Sequence, residues 1–200
     1  MGFDITGAAN AKIPEPDWDI EKEVTRYFDI QRKTPGAYFR ASVWDWRPIV
    51  QLLYDMKLIS EAEADGPWSY NDHEWIDVKV ARKIGLELMD WLDMIAVTHE
   101  IPFEDFDNYL ITKDGTIMGE IEYKEIWIKA PENMEECNLC NGTGNRPDMK
   151  EGAWKDKCNG CNGCSGKGKK SKFETSYCTY LSHLNQFADF CINSGGFKIS

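Results

Sequence analysis

The sequence predicts an α+β fold, in which a mainly helical body with a small β-hairpin region carries one inserted cysteine-rich module. Three observations indicate this fold. Apolar residues recur at helical spacing in four segments, and an Asp-Gly turn joins two short strand-like runs. Five of the seven cysteines fall within residues 137–164, where apolar side chains are few. We therefore predict an acidic body over 1–130, the insert over 131–172, and a C-terminal helix and short strand over 173–200 that return to the body.

The first part of the body alternates irregular and helical segments. Residues 1–19 are predicted to be irregular, because glycine and proline interrupt any regular element there. Apolar residues at helical spacing then predict a helix over 20–30. Pro48 suits the first turn of a second helix, about Arg47–Met56, since no amide hydrogen bond is lost at that position.

The longest helix of the body is predicted over Glu74–Ile95, with Asn71 or Asp72 as its N-terminal cap. An apolar stripe at helical spacing runs through this segment. The preceding residues, 57–70, are predicted to form a loop with one helical turn that starts at Ser60.

The rest of the body is predicted to be mixed. Residues 109–118 are expected to form the hairpin, and Ile121–Ile128 a further strand. Beyond the insert, a helix is predicted over Tyr177–Asn193, and the two glycines that follow it indicate its end. A final short strand is expected over Phe197–Ile199.

The cysteine-rich segment contains one template twice, C-x-x-C-x-G-x-G, starting at Cys137 and at Cys161. Twenty residues separate Cys140 from Cys161, which fits a zinc site made of two cysteine pairs. Structural zinc prefers four thiolates in a tetrahedron, and glycines let backbone amides approach the sulfurs. We therefore predict one structural Zn²⁺ held by Cys137, Cys140, Cys161 and Cys164. Disulfides are the alternative, and they are rare in reducing compartments.

A second register of the same site stays open, because Cys158 and Cys161 also form a C-x-x-C pair. That pair would leave 17 residues after Cys140, a spacing that zinc sites also allow. The glycine tail favours the pair Cys161 and Cys164, which leaves Cys158 as a substitute ligand.

These residues resemble the cysteine-rich region of DnaJ-type chaperones, over 32 of 200 positions. That family carries four repeats and two zinc centres, whereas this chain has two repeats. No His-Pro-Asp triplet occurs in the sequence, so no J-domain is expected. The resemblance implies two hairpin-like knuckles around one zinc ion, and a role in binding rather than in catalysis.

Two longer stretches, residues 36–48 and 187–197, resemble an uncharacterised family found in phage and bacterial genomes. Members of that family share the Met-Gly-Phe-Asp start, a Tyr-Asn-Asp segment and the paired zinc motif. The resemblance spans most of the chain and implies a viral origin, with no known activity.

The charge distribution argues against a general nucleic-acid binder. The chain has a net charge of −11, and residues 1–130 alone carry −12, which repels phosphate. The local exception is a cluster of four lysines, which are Lys167, Lys169, Lys170 and Lys172. We expect no membrane span, and the thiolate site predicts a cytoplasmic location, which would be the host cytoplasm for a viral protein.

No catalytic motif is present, and a metal with four thiolates has no open position for water. An aromatic and arginine cluster is the best candidate pocket; its members are Arg40, Trp44, Trp46 and Arg47. The first hypothesis is a non-enzymatic, zinc-stabilised and phage-encoded protein that binds a host protein, inhibiting a defence or nucleic-acid-processing factor. The alternatives are a nucleic-acid or nucleotide binder that uses the lysine and Arg/Trp clusters, and an enzyme with an unrecognised site.

Overall fold

The computed structural model describes residues 2–70, 75–146 and 160–200. It confirms the α+β class. The chain divides into two compact units. The body unit comprises Met1–Met118 and Tyr177–Ser200, and the cysteine unit comprises Gly119–Ser176. The cysteine unit therefore begins before residue 131, where the insert was predicted to start.

Helices and strands are interspersed along the described residues. In order they are β1 (Gly2–Gly7), α1 (Glu21–Lys33), β2 (Tyr38–Ser42), α2 (Val43–Asp55), α3 (Glu61–Asp65), β3 (Trp75–Ile76), α4 (Val78–Thr98), β4 (Tyr109–Thr112), β5 (Ile117–Gly119), α5 (Glu120–Glu122), β6 (Met134–Glu136), β7 (Lys169–Ser171), β8 (Cys178–Tyr180), α6 (Leu181–Asn193) and β9 (Phe197–Ile199).

The main sheet of the body unit has the strand order β2-β1-β9-β3, with antiparallel neighbours. Ile5 lies opposite Phe39 on one side and Ile199 on the other, and all three side chains are buried. The prediction of an irregular segment over residues 1–19 is therefore wrong for β1. The partners of β1 lie about 35 and 190 residues away, so no local pattern identifies this strand.

The core of the body unit lies between this sheet and the helices α2, α4 and α6. Helix α4 packs closely on α6 at Gly85, where an added Cβ would lie 2.6 Å from the carbonyl oxygen of Ala188. Trp46 and Trp68 are both buried, and their rings stack at a centroid distance of 5.8 Å. The indole N–H of Trp46 donates to the carbonyl of Trp68 at 2.5 Å, which satisfies one buried donor.

Several predicted helices are present with shifted boundaries. Helix α1 begins at Glu21, one residue after the predicted start, and continues past residue 30 to Lys33. Helix α2 begins at Val43, because Ser42 and Asp45 form a reciprocal capping box ahead of Pro48. Helix α3 confirms the helical turn predicted after Ser60.

Helix α4 begins later than predicted, at Val78, with the side chain of Asp77 accepting from the Lys79 amide. The predicted caps Asn71 and Asp72 lie outside the described residues. Helix α6 begins at Leu181 rather than Tyr177, because the residues just before it, Cys178–Tyr180, form β8 and pair with β4. The final strand was predicted correctly as β9.

A second sheet, of order β5-β4-β8, contains the predicted hairpin. The strand predicted over Ile121–Ile128 is wrong, because α5 and a π-helical turn over Tyr123–Trp127 occupy that stretch. Its apolar residues do not alternate cleanly, and ion pairs of the i,i+4 type, such as Lys124 with Glu120, support a helix instead. Within the described ranges, no helix combines the length and apolarity that crossing a bilayer requires.

Candidate metal centre

The structure brings together the four cysteines that the sequence predicted as ligands. Cys137, Cys140, Cys161 and Cys164 are all buried, and their sulfur atoms lie within 4.8 Å of one another. Two sulfur–sulfur distances cross between the pairs: Cys137 to Cys161 and Cys140 to Cys164 are each 3.7 Å. A tetrahedral ion with Zn–S bonds of about 2.3 Å places its sulfurs about 3.8 Å apart. The sulfurs therefore have the spacing of metal ligands, whereas a disulfide needs about 2.05 Å.

The first knuckle is a tight turn that aims two sulfurs at one point. The amides of Cys140 and Gly142 both donate to the carbonyl of Cys137, at 3.2 Å each. The Gly144 amide then donates to the sulfur of Cys140 at 3.3 Å. An amide aimed at a sulfur favours the thiolate over the thiol, and it fixes the direction of that ligand.

The second knuckle repeats this pattern 24 residues later. The Gly166 amide donates to the carbonyl of Cys161 at 3.1 Å, and the Gly168 amide donates to the sulfur of Cys164 at 3.2 Å. The repeated template in the sequence therefore corresponds to two turns with the same hydrogen bonds.

The two knuckles also interlock through their last glycines. The Cys137 amide donates to the Gly168 carbonyl at 2.9 Å, and the Cys161 amide donates to the Gly144 carbonyl at 2.6 Å. Each of these glycines thus contacts its own cysteine sulfur and the first cysteine of the other knuckle. This reciprocal arrangement relates the two halves of the site by an approximate two-fold symmetry.

The two glycines of each template have different physical roles. Gly142 has a φ of +74°, and an added Cβ would make only ordinary van der Waals contact with the Glu136 side chain at 3.5 Å, so the backbone conformation alone requires a glycine. Gly168 has a φ of +75°, and an added Cβ would lie 2.2 Å from the carbonyl oxygen of Gly142. Gly144 is constrained in the same way against Gly166, at 2.4 Å. The second glycine is therefore required by the close approach of the two knuckles.

The pKa values of two thiols in the cluster are shifted in opposite directions. Burial raises the pKa of Cys137, but hydrogen bonds from the Leu139 amide and the neighbouring thiols outweigh this effect and lower the pKa to about 7. Burial raises the pKa of Cys140 to about 11, although the Gly144 amide opposes this. One thiolate is therefore accessible near neutral pH, and a divalent cation would release the remaining protons.

The cysteine unit has almost no apolar core apart from this cluster. Among its described residues, the buried hydrophobic side chains are the four cysteines and Tyr123. The Tyr123 hydroxyl donates to the carbonyl of Thr175 at 2.8 Å. A segment with so little buried apolar surface gains little from the hydrophobic effect, and a metal held by the four cysteines would add to its order.

The predicted lysine cluster lies directly after the second knuckle, and half of it faces carboxylates. Lys170 lies 3.4 Å from a Glu135 carboxylate oxygen, and it donates to the Asn138 side chain at 2.9 Å. Lys169 lies opposite Glu136 in the two-stranded sheet of β6 and β7. Lys167 and Lys172 are exposed. The cluster is therefore partly neutralised by its own sheet.

The predicted Arg/Trp cluster does not form a single surface. Trp46 has no exposed area, so the structure assigns it to the core rather than to a binding surface. Trp44 packs on Tyr177, with ring centroids 5.3 Å apart. Arg40 projects from β2 and lies 3.8 Å from the Asp4 carboxylate. Arg47 lines a cleft, where it donates to the Ser69 hydroxyl at 2.9 Å.

The structure also bears on the alternatives left open by the sequence. The described cluster contains Cys161 and Cys164, the pair that the glycine tail favours, and Cys158 lies outside the described residues. No disulfide is formed by any of the six described cysteines. No signal in the sequence indicates that the Leu139 side chain packs against Gly163, where an added Cβ would lie 2.6 Å from a Leu139 methyl group.

Comparisons with models of protein families, with curated proteins and with solved structures found no match for this chain. The chemistry of the site and its surroundings therefore carries the functional argument, and the two family resemblances remain predictions from the sequence.

Proposed function

We propose that the cysteine unit is a zinc module, in which Cys137, Cys140, Cys161 and Cys164 hold one structural Zn²⁺. The observation that carries this proposal is the pair of 3.7 Å sulfur–sulfur distances, which match the edge of a zinc–thiolate tetrahedron. Zinc and iron both accept four thiolates in this geometry. We favour zinc because all four ligand positions are filled and the ion would serve to fold the unit.

We further propose that the protein works by binding another protein, without chemistry of its own. A metal with four protein ligands has no position for water or substrate, which argues against catalysis at this site. The cysteine unit exposes several large apolar side chains, which fits contact with a partner; these are Ile121, Ile126, Leu139 and Phe173. The resemblance to phage proteins leads us to propose a host protein as partner, in a defence or nucleic-acid-processing system.

Nucleic-acid binding is the second candidate, and the exposed Lys167 and Lys172 are the observation in its favour. The pairing of Lys170 with Glu135 and the net charge of −11 weigh against it. A nucleic-acid complex of this protein would have to depend on these few lysines and weaken steeply with salt.

The experiment is affinity capture from host lysate with the tagged full-length protein, followed by mass spectrometry. The wild type is compared with Leu139→Ser, which changes the exposed knuckle tip, and with Cys161→Ser, which removes a ligand. We expect one host protein to be enriched by the wild type, less by Leu139→Ser, and not by Cys161→Ser.

Equal recovery by all three proteins would contradict a role for the zinc module. Loss of binding with nuclease treatment, and with the Lys167 and Lys172 substitutions to alanine, would favour the nucleic-acid alternative instead.

A further inference from the structure

A cleft lies in the body unit between α2 and α3, and none of the four clustered cysteines lines it. Its volume is about 180 Å³, and charged side chains line it. Its lining includes Arg47, Glu61, Asp65, Ser69 and Lys113, together with Tyr54. We name it the Arg47 cleft.

Arg47 is half-buried as a residue, and its guanidinium has no counterion within the described part of the chain. Its Nη1 donates to the hydroxyl of Ser69, which is itself only 8% exposed. No described carboxylate oxygen lies within 4.0 Å of it. A partly desolvated guanidinium whose described partner is a neutral hydroxyl favours an anion that supplies charge-assisted hydrogen bonds.

Lys113 adds a second positive charge near the same end of α2. Its ammonium lies 5.8 Å from the centre of the Tyr177 ring, and that ring packs on Trp44 at 5.3 Å. Since Trp44 precedes Arg47 by one helical turn, the first half of α2 forms the positive end of the cleft. Guanidinium geometry suits a planar carboxylate there.

Two carboxylates line the same cleft from α3. The hydroxyl of Ser69 donates to the carbonyl of Ala64 at 2.5 Å, which places the last turn of α3 beside Arg47. Glu61 lies four residues before Asp65, about 6 Å further along the helix axis. The cleft thus carries cations at one end and an acidic wall that extends away from them.

This charge pattern selects the class of ligand. A nucleotide or other polyanion would be repelled by the carboxylates of Glu61 and Asp65. The volume lies below the range of about 300–1,000 Å³ typical of drug-sized ligands, so the ligand is small.

We propose that the Arg47 cleft binds a small amino carboxylate. The carboxylate of the ligand accepts hydrogen bonds from the Arg47 guanidinium and is attracted by the charge of Lys113. The ammonium group of the ligand lies against the carboxylate of Glu61 or Asp65. This site is independent of the metal centre and of the proposed protein partner.

The test is isothermal titration of the full-length protein with three amino carboxylates of increasing length: glycine, γ-aminobutyrate and ε-aminocaproate. Acetate carries only the negative charge of such a ligand and methylammonium only its positive charge, so the two compounds serve as single-charge probes. We expect saturable binding of at least one amino carboxylate, and weaker binding of both single-charge probes. The length that binds best reports the separation of the two charges.

Variants test the residues. Arg47→Gln is expected to weaken binding about tenfold or more, because it removes a charge-assisted hydrogen bond. Glu61→Gln is expected to weaken the amino carboxylate but not acetate. Arg40→Gln, an exposed arginine outside the cleft, is the matched control and should bind as the wild type does. Circular dichroism checks that each variant is folded.

The proposal would be overturned if no amino carboxylate bound at millimolar concentration. Binding of acetate as tight as that of the amino carboxylates would also overturn it, since the acidic wall would then have no role. Equal losses for Arg47→Gln and Arg40→Gln would do the same.

Discussion

The interlocking of the two knuckles leads to a sharp prediction about a pair of glycines. Gly142 and Gly168 have nearly identical φ angles, +74° and +75°. Alanine at either position must adopt a left-handed conformation, which costs about 1–2 kcal/mol. The two differ in their surroundings. The nearest atom to a Cβ at 142 is 3.5 Å away, in the Glu136 side chain, whereas a Cβ at 168 lies 2.2 Å from backbone oxygen.

The expected magnitudes follow from these distances. Gly142→Ala should weaken metal binding by about 5- to 30-fold, the equivalent of about 1–2 kcal/mol. Gly168→Ala must in addition separate the knuckles, which disturbs the amide–sulfur bond of Gly168 and its carbonyl bond to Cys137. Loss of one hydrogen bond to a charged group costs about 1.5–3 kcal/mol, so we expect a total weakening of roughly 100-fold or more.

The assay is a competition titration of the metal against a chromophoric chelator, with the full-length wild type and both variants. Gly115→Ala is the control outside the cysteine unit, since its φ is +85° and no atom lies within 4 Å of an added Cβ. It should leave metal affinity unchanged. If Gly168→Ala bound metal as tightly as Gly142→Ala, the close approach of the knuckles would not matter, and the reasoning would be refuted.

Three further predictions concern the whole chain. Removing the metal with a strong chelator should abolish hydrogen-exchange protection in the cysteine unit while that of α4 and α6 persists; unchanged protection in the cysteine unit would count against metal-dependent order. Gly85→Ala should lower the free energy of unfolding, measured in urea, despite the gain of about 1 kcal/mol in helix propensity, because its Cβ would lie 2.6 Å from the Ala188 carbonyl. Burial and the Asp4 carboxylate raise the pKa of Tyr38 from 10.0 to about 12, so its contribution to stability is complete below pH 10.0 and is lost as the pH rises through about 12. Tyr38→Phe should therefore lose less stability over that range than the wild type, and equal losses would contradict this origin.

The elements that the sequence predicted well are those with local signals. Helices α1 and α4 have apolar residues at helical spacing, and the glycines after α6 end it as expected. The same holds for the cluster of four cysteines, because the template repeats within a short stretch and its glycine tail favours Cys161 and Cys164. These features depend on neighbours in the sequence, so a single sequence is enough to identify them.

The features that were missed depend on distant partners. Strand β1 is defined by its pairing with β2 and β9, and Trp46 is buried because Trp68 and Phe187 pack on it. The burial of a tryptophan cannot be read from its own position in the chain. The Arg47 cleft likewise joins α2, α3 and the hairpin around Lys113, which no sequence spacing brings together.

X-ray absorption spectroscopy at the metal edge of the purified, unchelated protein tests the central claim most directly. We expect one zinc ion per chain with four sulfur neighbours at about 2.3 Å and no lighter atom in the first shell. A protein that holds no tightly bound metal, or a first shell with nitrogen or oxygen in place of sulfur, would contradict the account.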